Sequence, residues 1–331
     1  MGRTVPKAGY VMGGQGSGYL VGAVVVTYRP DISVATHVLQ AVSPQVRHVL
    51  VVDNGSCESD KISLDHQVAA LSNCRLVCLP TNRGVGYAHN VGLQWGRALG
   101  CTHVLLLDQD SIPSADMVDS LLQADNALKR RAQRIAALGP CFVNSDYGNI
   151  SYFVQFGPWC LRRRFCDPGN THEVIPADFL ISSGALISVP AFEDVGGMNE
   201  SLFIDHVDTD WFLRAKAHGW QAYGVCTAQM KHKLGNRTLK VSLWGRTRYV
   251  ALYDPGRYYY QFRNALWLCK AKHAPLMLKL NLLQRLIGQG ILACAFGSSR
   301  IAVIKNMGRG VKDGVQGKIG QGLADGKDQG A

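Results

Sequence analysis

Three observations predict an α/β fold with a mostly parallel central sheet flanked by helices, followed by a helical C-terminal extension. Continuous β-branched runs recur early in the chain, helical patterns separate them, and acidic or turn residues stand where the runs end. The first run is Val21-Gly-Ala-Val-Val-Val-Thr27, ending at Tyr28-Arg-Pro30. A helical stretch over Ile32 to Val42 leads to a second strand, His48 to Asp53, which stops at the turn signal Asn54-Gly-Ser56. Arg75 to Leu79 reads as a third strand. Asn82-Arg-Gly-Val-Gly86 opens a helix running to about Leu99, and His103 to Leu107 forms a fourth strand ending in Asp108-Gln-Asp110. Strand and helix in this order require right-handed crossovers and hence parallel pairing.

From Ile135 the rhythm changes. Short strand-like pieces (Ala136 to Val143, Ile150 to Phe156) precede a basic stretch, Arg162-Arg-Arg164, that reads as irregular. Phe203 to Arg214 enters a helix that stops at His218-Gly219, where glycine is a natural terminator. Beyond about Tyr258 the chain is helical, apolar and basic together. Its longest uncharged run, Leu286 to Ser299, is shorter than the ~20 residues needed to cross a bilayer. Two readings of this region stand: an amphipathic helix on an anionic membrane, or helices packed on the core with a solvated basic face. The expected organisation is a flexible tail over 1–19, a catalytic domain over 20–265 divided near 115, an amphipathic helical region over 266–307, and a flexible tail over 308–331.

The composition, 47% apolar and 18% charged, excludes a disordered chain. A net charge of +11 calls for an acidic partner: nucleic acid, a phosphorylated substrate or an anionic membrane surface. No aromatic-and-basic stacking strip or nucleic-acid motif is present, so nucleic acid is not expected. The ten cysteines are scattered without CxxC pairs, which predicts buried free thiols in a reducing compartment, the cytosol. Met1 to Gly18 is glycine-rich and lacks the apolar segment of a signal peptide.

Open α/β sheets bind ligands beyond the carboxyl ends of their strands, and Thr27, Asp53, Asp108 and Asp110 all fall there. Asp108 and Asp110, two residues apart, can hold a hard divalent cation such as Mg²⁺ or Mn²⁺, which bridges to phosphate oxygens. The alternative is a strand end followed by a capped turn before Pro113. Asp53 can accept from a pyrimidine or ribose, or can close an Asx turn. Asn82 to Gly86 offers backbone amides and the Arg83 guanidinium to a diphosphate. It is no dinucleotide fingerprint, because the third glycine of GxGxxG would fall at His89. Asp205, Asp208 and Asp210 cluster at a helix start, as helix caps or with one as general base. Spacing does not choose among them, and a helix N-terminus should lower a carboxylate's pKa there. His232 reads as a surface or packing histidine unless the chain folds it back to the metal.

In family order, Val24-Val-Val-Thr-Tyr-Arg-Pro30, Val51-Val-Asp-Asn-Gly-Ser56, Asn82-Arg-Gly-Val-Gly86 and Leu105-Leu-Leu-Asp-Gln-Asp-Ser111 resemble glycosyltransferase family 2. Ile181-Ser-Ser-Gly-Ala185, Phe203-Ile-Asp-His-Val-Asp-Thr-Asp-Trp211 with Arg214, and His232-Lys-Leu-Gly235 continue the pattern over about residues 20 to 265. The Asp-Gln-Asp-Ser form and the Phe-Ile-Asp-x-Val-Asp segment are similar to the bacterial rhamnosyltransferases. The resemblance implies a GT-A fold, a dTDP-β-L-rhamnose donor, Mg²⁺ or Mn²⁺ and inversion at the anomeric carbon. Together with the basic amphipathic C-terminus, it leads us to expect a saccharide acceptor on a lipid carrier, a place at the inner face of the cell membrane, and a role in surface polysaccharide synthesis. By position it makes Asp208 the base, Asp110 the metal ligand with Asp108 nearby at the metal or the ribose, His232 a candidate further ligand, and Thr27 and Asp53 contacts to the nucleoside; Tyr28 and Arg83 are expected beside them at the nucleotide, with Asp108. A UDP donor of galactofuranose or glucose is the nearer alternative, and a non-catalytic binding homologue the farther one. One departure is Val207 before Asp208, where many members carry Glu.

Overall fold

The computed structural model describes residues 18–144, 151–157, 159–167, 169–170, 172–232, 237–243, 246–296 and 299–322. The first half alternates as expected: β1 (Val21–Thr27), α1 (Ile32–Val42), β2 (His48–Asp53), α2 (Glu58–Ala69), β3 (Cys74–Cys78), α3 (Val85–Ala98) and β4 (His103–Asp108). A short β5 (Ile112–Pro113), α4 (Met117–Lys129) and the long β6 (Ile135–Asn144) follow. Next come β7 (Phe153–Phe156), β8 (Leu161–Arg164), β9 (Val174–Ala177), β10 (Leu186–Ser188), α5 (Val189–Val195) and α6 (Val207–Ala217). The chain ends with β11 (Gln221–His232), the hairpin β12 (Arg237–Leu243) and β13 (Arg246–Leu252), then α7 (Pro255–Lys270), α8 (Leu276–Phe296) and α9 (Arg300–Gln316).

Nine strands form one sheet in the order β3-β2-β1-β4-β10-β6-β11-β5, with β9 also on β11. The first four are parallel, while β10 runs antiparallel between β4 and β6. Alternation along β1 explains its unbroken apolar run. Val24 and Val26 face α3, α5 and α6, whereas Ala23 and Val25 face α1 and α4. Burying both faces is what a continuous β-branched strand requires. α3 lies so close to β1 that a Cβ on Gly92 would come within 2.4 Å of Val24. A third apolar cluster joins α7, α8 and α9 to each other and, through Leu213, to α6.

Several expectations need correction. Arg162–Arg164 is not irregular but forms β8, paired with β7. The stretch from Gly308 does not fray as a tail. α9 continues through Gln316, and Gly310 and Gly314 are buried against α7, with a Cβ on Gly310 falling 2.4 Å from the Tyr259 carbonyl oxygen. These glycines permit close helix packing, which composition alone does not distinguish from flexibility. Residues 323–331, like 1–17, lie outside the described residues. Tyr19 is no part of a loose tail, because its hydroxyl donates to Asp125 at 2.7 Å. The expected boundary at 265 falls inside α7, which is one continuous helix. Finally, not every cysteine is a free thiol: Cys166 and Cys226 are disulfide-bonded across a separation of 60 residues, while the other eight are free. Cys226 lies on β11 and Cys166 just beyond β8, a proximity that local spacing does not reveal.

Candidate active site

Register aligns the site before any side chain is considered. Thr27 pairs with Asp53 and Val26 with Asp108, so three strand ends open side by side where the strand order reverses. Asp53 is fully buried, and its carboxylate accepts from Ser56 N–H at 2.9 Å, Ser56 Oγ at 2.5 Å and Thr27 Oγ1 at 3.2 Å. That is an Asx turn closing the floor of the crevice. Tyr28 N–H donates to Gln109 at 2.8 Å, which ties the first strand end to the Asp108–Asp110 turn. On the opposite wall the Arg83 guanidinium stacks on Tyr87, 3.6 Å from the ring centroid.

Asp108, Asp110 and His232 present ligand atoms that all lie within 4.8 Å of one another. β11 achieves this: it pairs antiparallel with β5, Lys231 opposite Ile112, so His232 arrives beside Ser111. A relay then orients the imidazole. Asp108 N–H donates to Ser183 Oγ at 3.0 Å, Ser183 Oγ to Ser111 Oγ at 2.6 Å, and Ser111 Oγ stands 2.7 Å from His232 Nδ1. The Phe142 ring meets the imidazole edge-on at 5.8 Å. Burial raises the Asp108 carboxyl, with the nearby Asp110 charge adding to the rise while His232 and Arg257 oppose it. Two carboxylates and an imidazole held this closely fit a divalent cation, whose charge relieves their repulsion. Of the readings the sequence left open for His232, a surface side chain is set aside, since it is buried.

The three aspartates at the start of α6 are sorted by their partners. Asp210 is buried and consumed by Arg214 at 2.9 Å and His273 at 2.9 Å. Asp205 pairs bidentately with Arg257 at 3.0 and 3.1 Å. Asp208 has no cationic partner among the described residues: it accepts from Thr209 N–H at 2.7 Å and Ser182 N–H at 3.2 Å. Burial pushes its carboxyl up to about 6, against those hydrogen bonds. The helix start therefore does not lower it, contrary to the expectation; desolvation outweighs the dipole. Ser182, on Asp208, adjoins Ser183, in the relay to His232, so one dipeptide spans from the lone carboxylate to the acidic cluster.

No protein-family profile matches the chain. It is 29% identical over 304 residues to the dTDP-rhamnosyl transferase RfbF of Shigella flexneri, covering 91% of this chain and 97% of that one. The galactofuranosyltransferase GlfT1 of Mycobacterium tuberculosis is 26% identical over 251 residues, 73% of this chain and 79% of its own. Among solved structures, GalNAc-T7 with UDP, GalNAc and Mn²⁺ superposes with a TM-score of 0.52 at 13% identity, over 69% of this chain and 45% of that one. The mannosyltransferase PcManGT of Pyrobaculum calidifontis, with GDP-Man and Mn²⁺, gives 0.50 at 16% identity, over 87% of this chain and 79% of its own. The chain is a glycosyltransferase of the GT-A fold.

Sequence reasoning on this glycosyltransferase missed the residues that hold the Asp208 loop. Phe203, Asp205 and His206 all have positive φ, at 66°, 61° and 64°. Such backbone persists only where its surroundings fix it. Here Asn264, fully buried on α7, donates to the carbonyls of Leu202, Ile204 and Asp205, and Arg263 donates to those of Ser201 and Leu202. Gly84, at φ 84°, lets the Arg83 loop press against Phe203; a Cβ there would sit 2.5 Å from the Phe203 carbonyl oxygen. The dipeptide Arg263-Asn264 in an apolar helix is the one signal that could have been read, as polar side chains where a core helix offers none a partner.

Proposed function

We propose that this enzyme transfers L-rhamnose, with inversion, from dTDP-β-L-rhamnose to a saccharide acceptor carried on a lipid at the inner face of the cell membrane, in surface polysaccharide synthesis. The observation that carries the reading is the crevice itself: an uncompensated, half-buried carboxylate, Asp208, linked through Ser182-Ser183 to the Asp108–Asp110–His232 cluster. Thr27 and Tyr28 line the nucleoside end, Asp53 shapes its floor from within, and Arg83 faces the diphosphate. Asp108, Asp110 and His232 would hold a divalent cation, which would supply positive charge to the departing diphosphate. Asp208 takes the proton of the acceptor hydroxyl, whose oxygen forms the new bond to the anomeric carbon. The bond from that carbon to the phosphate oxygen breaks, and dTDP leaves with the electron pair. A carboxyl near 6 is ionised at neutral pH yet basic enough to accept a proton.

Two features favour rhamnose. RfbF, which covers nearly all of this chain, carries that specificity in its name. A small cavity of about 50 Å³, walled by Phe142, Tyr152, Phe153, Leu180 and Ser183, shares Phe142 and Ser183 with the acidic cluster and offers an apolar seat for a 6-deoxy methyl group. The similarity to GlfT1 supports a second reading, a UDP-galactofuranose donor on the same scaffold. Calorimetric titration with dTDP and UDP, each with and without Mn²⁺, separates them. Metal-dependent preference for dTDP is expected; preference for UDP would overturn the sugar, and binding of neither would overturn the donor site.

A further inference from the structure

We propose that α8, together with the β7–β8 hairpin beside it, is a docking surface for an anionic lipid bilayer, on which the protein lies without crossing it. This surface deepens the proposed function and rests on that reading for the acceptor the leaflet would present.

α8 is apolar on two faces, and among the described residues only one has a partner. Leu278, Leu282, Leu286 and Ala293 are buried in the cluster with α7 and α9. Leu276, Leu280, Leu283, Ile287 and Ile291 are 66, 51, 42, 66 and 65% exposed. Their spacing of four, three, four and four residues lines them along one side of the helix for about 22 Å. A row of large aliphatic side chains of this length left in water marks an interaction site. Among the described residues no helix is long and apolar enough to span a membrane.

Charge selects the occupant. From Lys270 to Gly322 there are nine lysines and arginines against one acid, Asp313, which accepts from Tyr259. This segment therefore holds +8 of the chain's net +11. A second copy would bring a like charge to this basic segment, whereas phosphate headgroups neutralise it. Next to α8 sits β8, and Phe156 of β7 packs into the same apolar cluster. The hairpin presents Trp159, 88% exposed, with Phe165 at 56% and exposed Arg162, Arg163 and Arg164. An amphipathic aromatic beside basic side chains suits the headgroup region. The position is apt as well: Arg285 of α8 acts electrostatically on His206, two residues before Asp208, so the helix lies near the loop that carries Asp208.

The test uses the full chain and phosphatidylcholine vesicles with and without phosphatidylglycerol. Co-sedimentation is expected with the anionic vesicles, weakened by salt, and reduced about tenfold or more by the double substitution Ile287→Glu and Ile291→Glu. Trp emission should shift to the blue on adding anionic vesicles, and Trp159→Phe should diminish that shift. Unchanged thermal melting and dTDP binding would show that the double variant is folded. Three results overturn the surface: no binding of the wild type to anionic vesicles, unchanged partition of the double variant, or a wild-type dimer that the double variant splits. Vesicle binding without dTDP binding would spare the surface and remove the donor reading, and the converse would do the reverse.

Discussion

Asp208→Asn removes a proton acceptor while keeping the side chain's shape, and its consequences can be worked through. With the carboxyl at about 6, the wild type at pH 7.5 is about thirty parts ionised to one part protonated. Loss of a positioned general base lowers turnover roughly 10²- to 10⁴-fold, or about 3 to 5 kcal/mol in barrier. The same substitution should strengthen the fold at neutral pH. A carboxyl raised from 3.8 to about 6 by folding loses stability as pH rises through that window, a deficit of roughly 3 kcal/mol once ionised. An amide has no charge to bury. It keeps the hydrogen bond from Thr209 N–H but turns its NH₂ toward Ser182 N–H, which costs about 1 kcal/mol.

The assay is release of dTDP in the presence of acceptor, across pH 4.5 to 8.5, beside calorimetric dTDP titration and urea unfolding. Wild-type kcat/KM should climb about tenfold per pH unit below about 6 and level off above it. The variant should be slow and flat, bind dTDP as tightly as wild type, and unfold roughly 1 to 2 kcal/mol harder at pH 7.5 but not near pH 4. Activity within fivefold of wild type, or a wild-type profile without the acid limb, would refute the assignment of the base.

Three further outcomes are expected. His232→Ala should abolish the Mn²⁺ enhancement of dTDP binding, and Ser111→Ala, which loosens the imidazole, should weaken Mn²⁺ affinity about tenfold or more; calorimetry reads both. Asn264→Ala deletes hydrogen bonds to three carbonyls and should lower kcat at least about tenfold in steady-state assays while dTDP affinity holds, at a cost of roughly 2 kcal/mol in urea unfolding. Asp125, buried beside His103 and bonded to Lys129 and Tyr19, has its carboxyl lowered to about 2 against the effect of burial, so its stabilisation of roughly 2 kcal/mol is present above pH 4 and lost as pH falls toward 2. Asp125→Asn should therefore reduce melting temperature at pH 7 and converge with wild type near pH 2.

Legibility followed the range of the interactions. The β1 to β4 run was readable because each strand is buried on both faces and each turn carries its own signal, as at Asn54-Gly-Ser56. The Asp108–Asp110 pair was visible for the same reason: it is local, at the end of a continuous apolar strand. β11 escaped because its partners β5, β6 and β9 come from distant parts of the chain, and its sequence carries polar residues where it bends between Val225 and Gln229. That loss hid the decisive fact about His232. The choice among Asp205, Asp208 and Asp210 could not be made from spacing, because it depends on which carboxylates Arg257, Arg214 and His273 engage. Two of these three come from beyond the helix that bears the aspartates.

The C-terminal helices thereby bear on the chemistry from two sides. Asn264 and Arg263 hold the backbone of 201–205 in a conformation that L-residues resist, and Arg257 at the start of the same helix neutralises Asp205. With Asp205 paired and Asp210 occupied, Asp208 is left as the carboxylate without a counter-charge, and its raised pKa follows from that division of partners and from burial. α7 in turn is clamped by α9, whose glycines admit the close approach, and by α8, whose second apolar face is exposed among the described residues. Had α7 merely covered the sheet, a polar Arg-Asn pair at its buried face would be a liability, since unsatisfied groups there destabilise. Satisfied by the carbonyls of a strained loop, the pair instead makes the geometry of the crevice depend on the seating of the helices. The proposed docking surface on α8 is therefore connected, through α7, to the loop carrying Asp208.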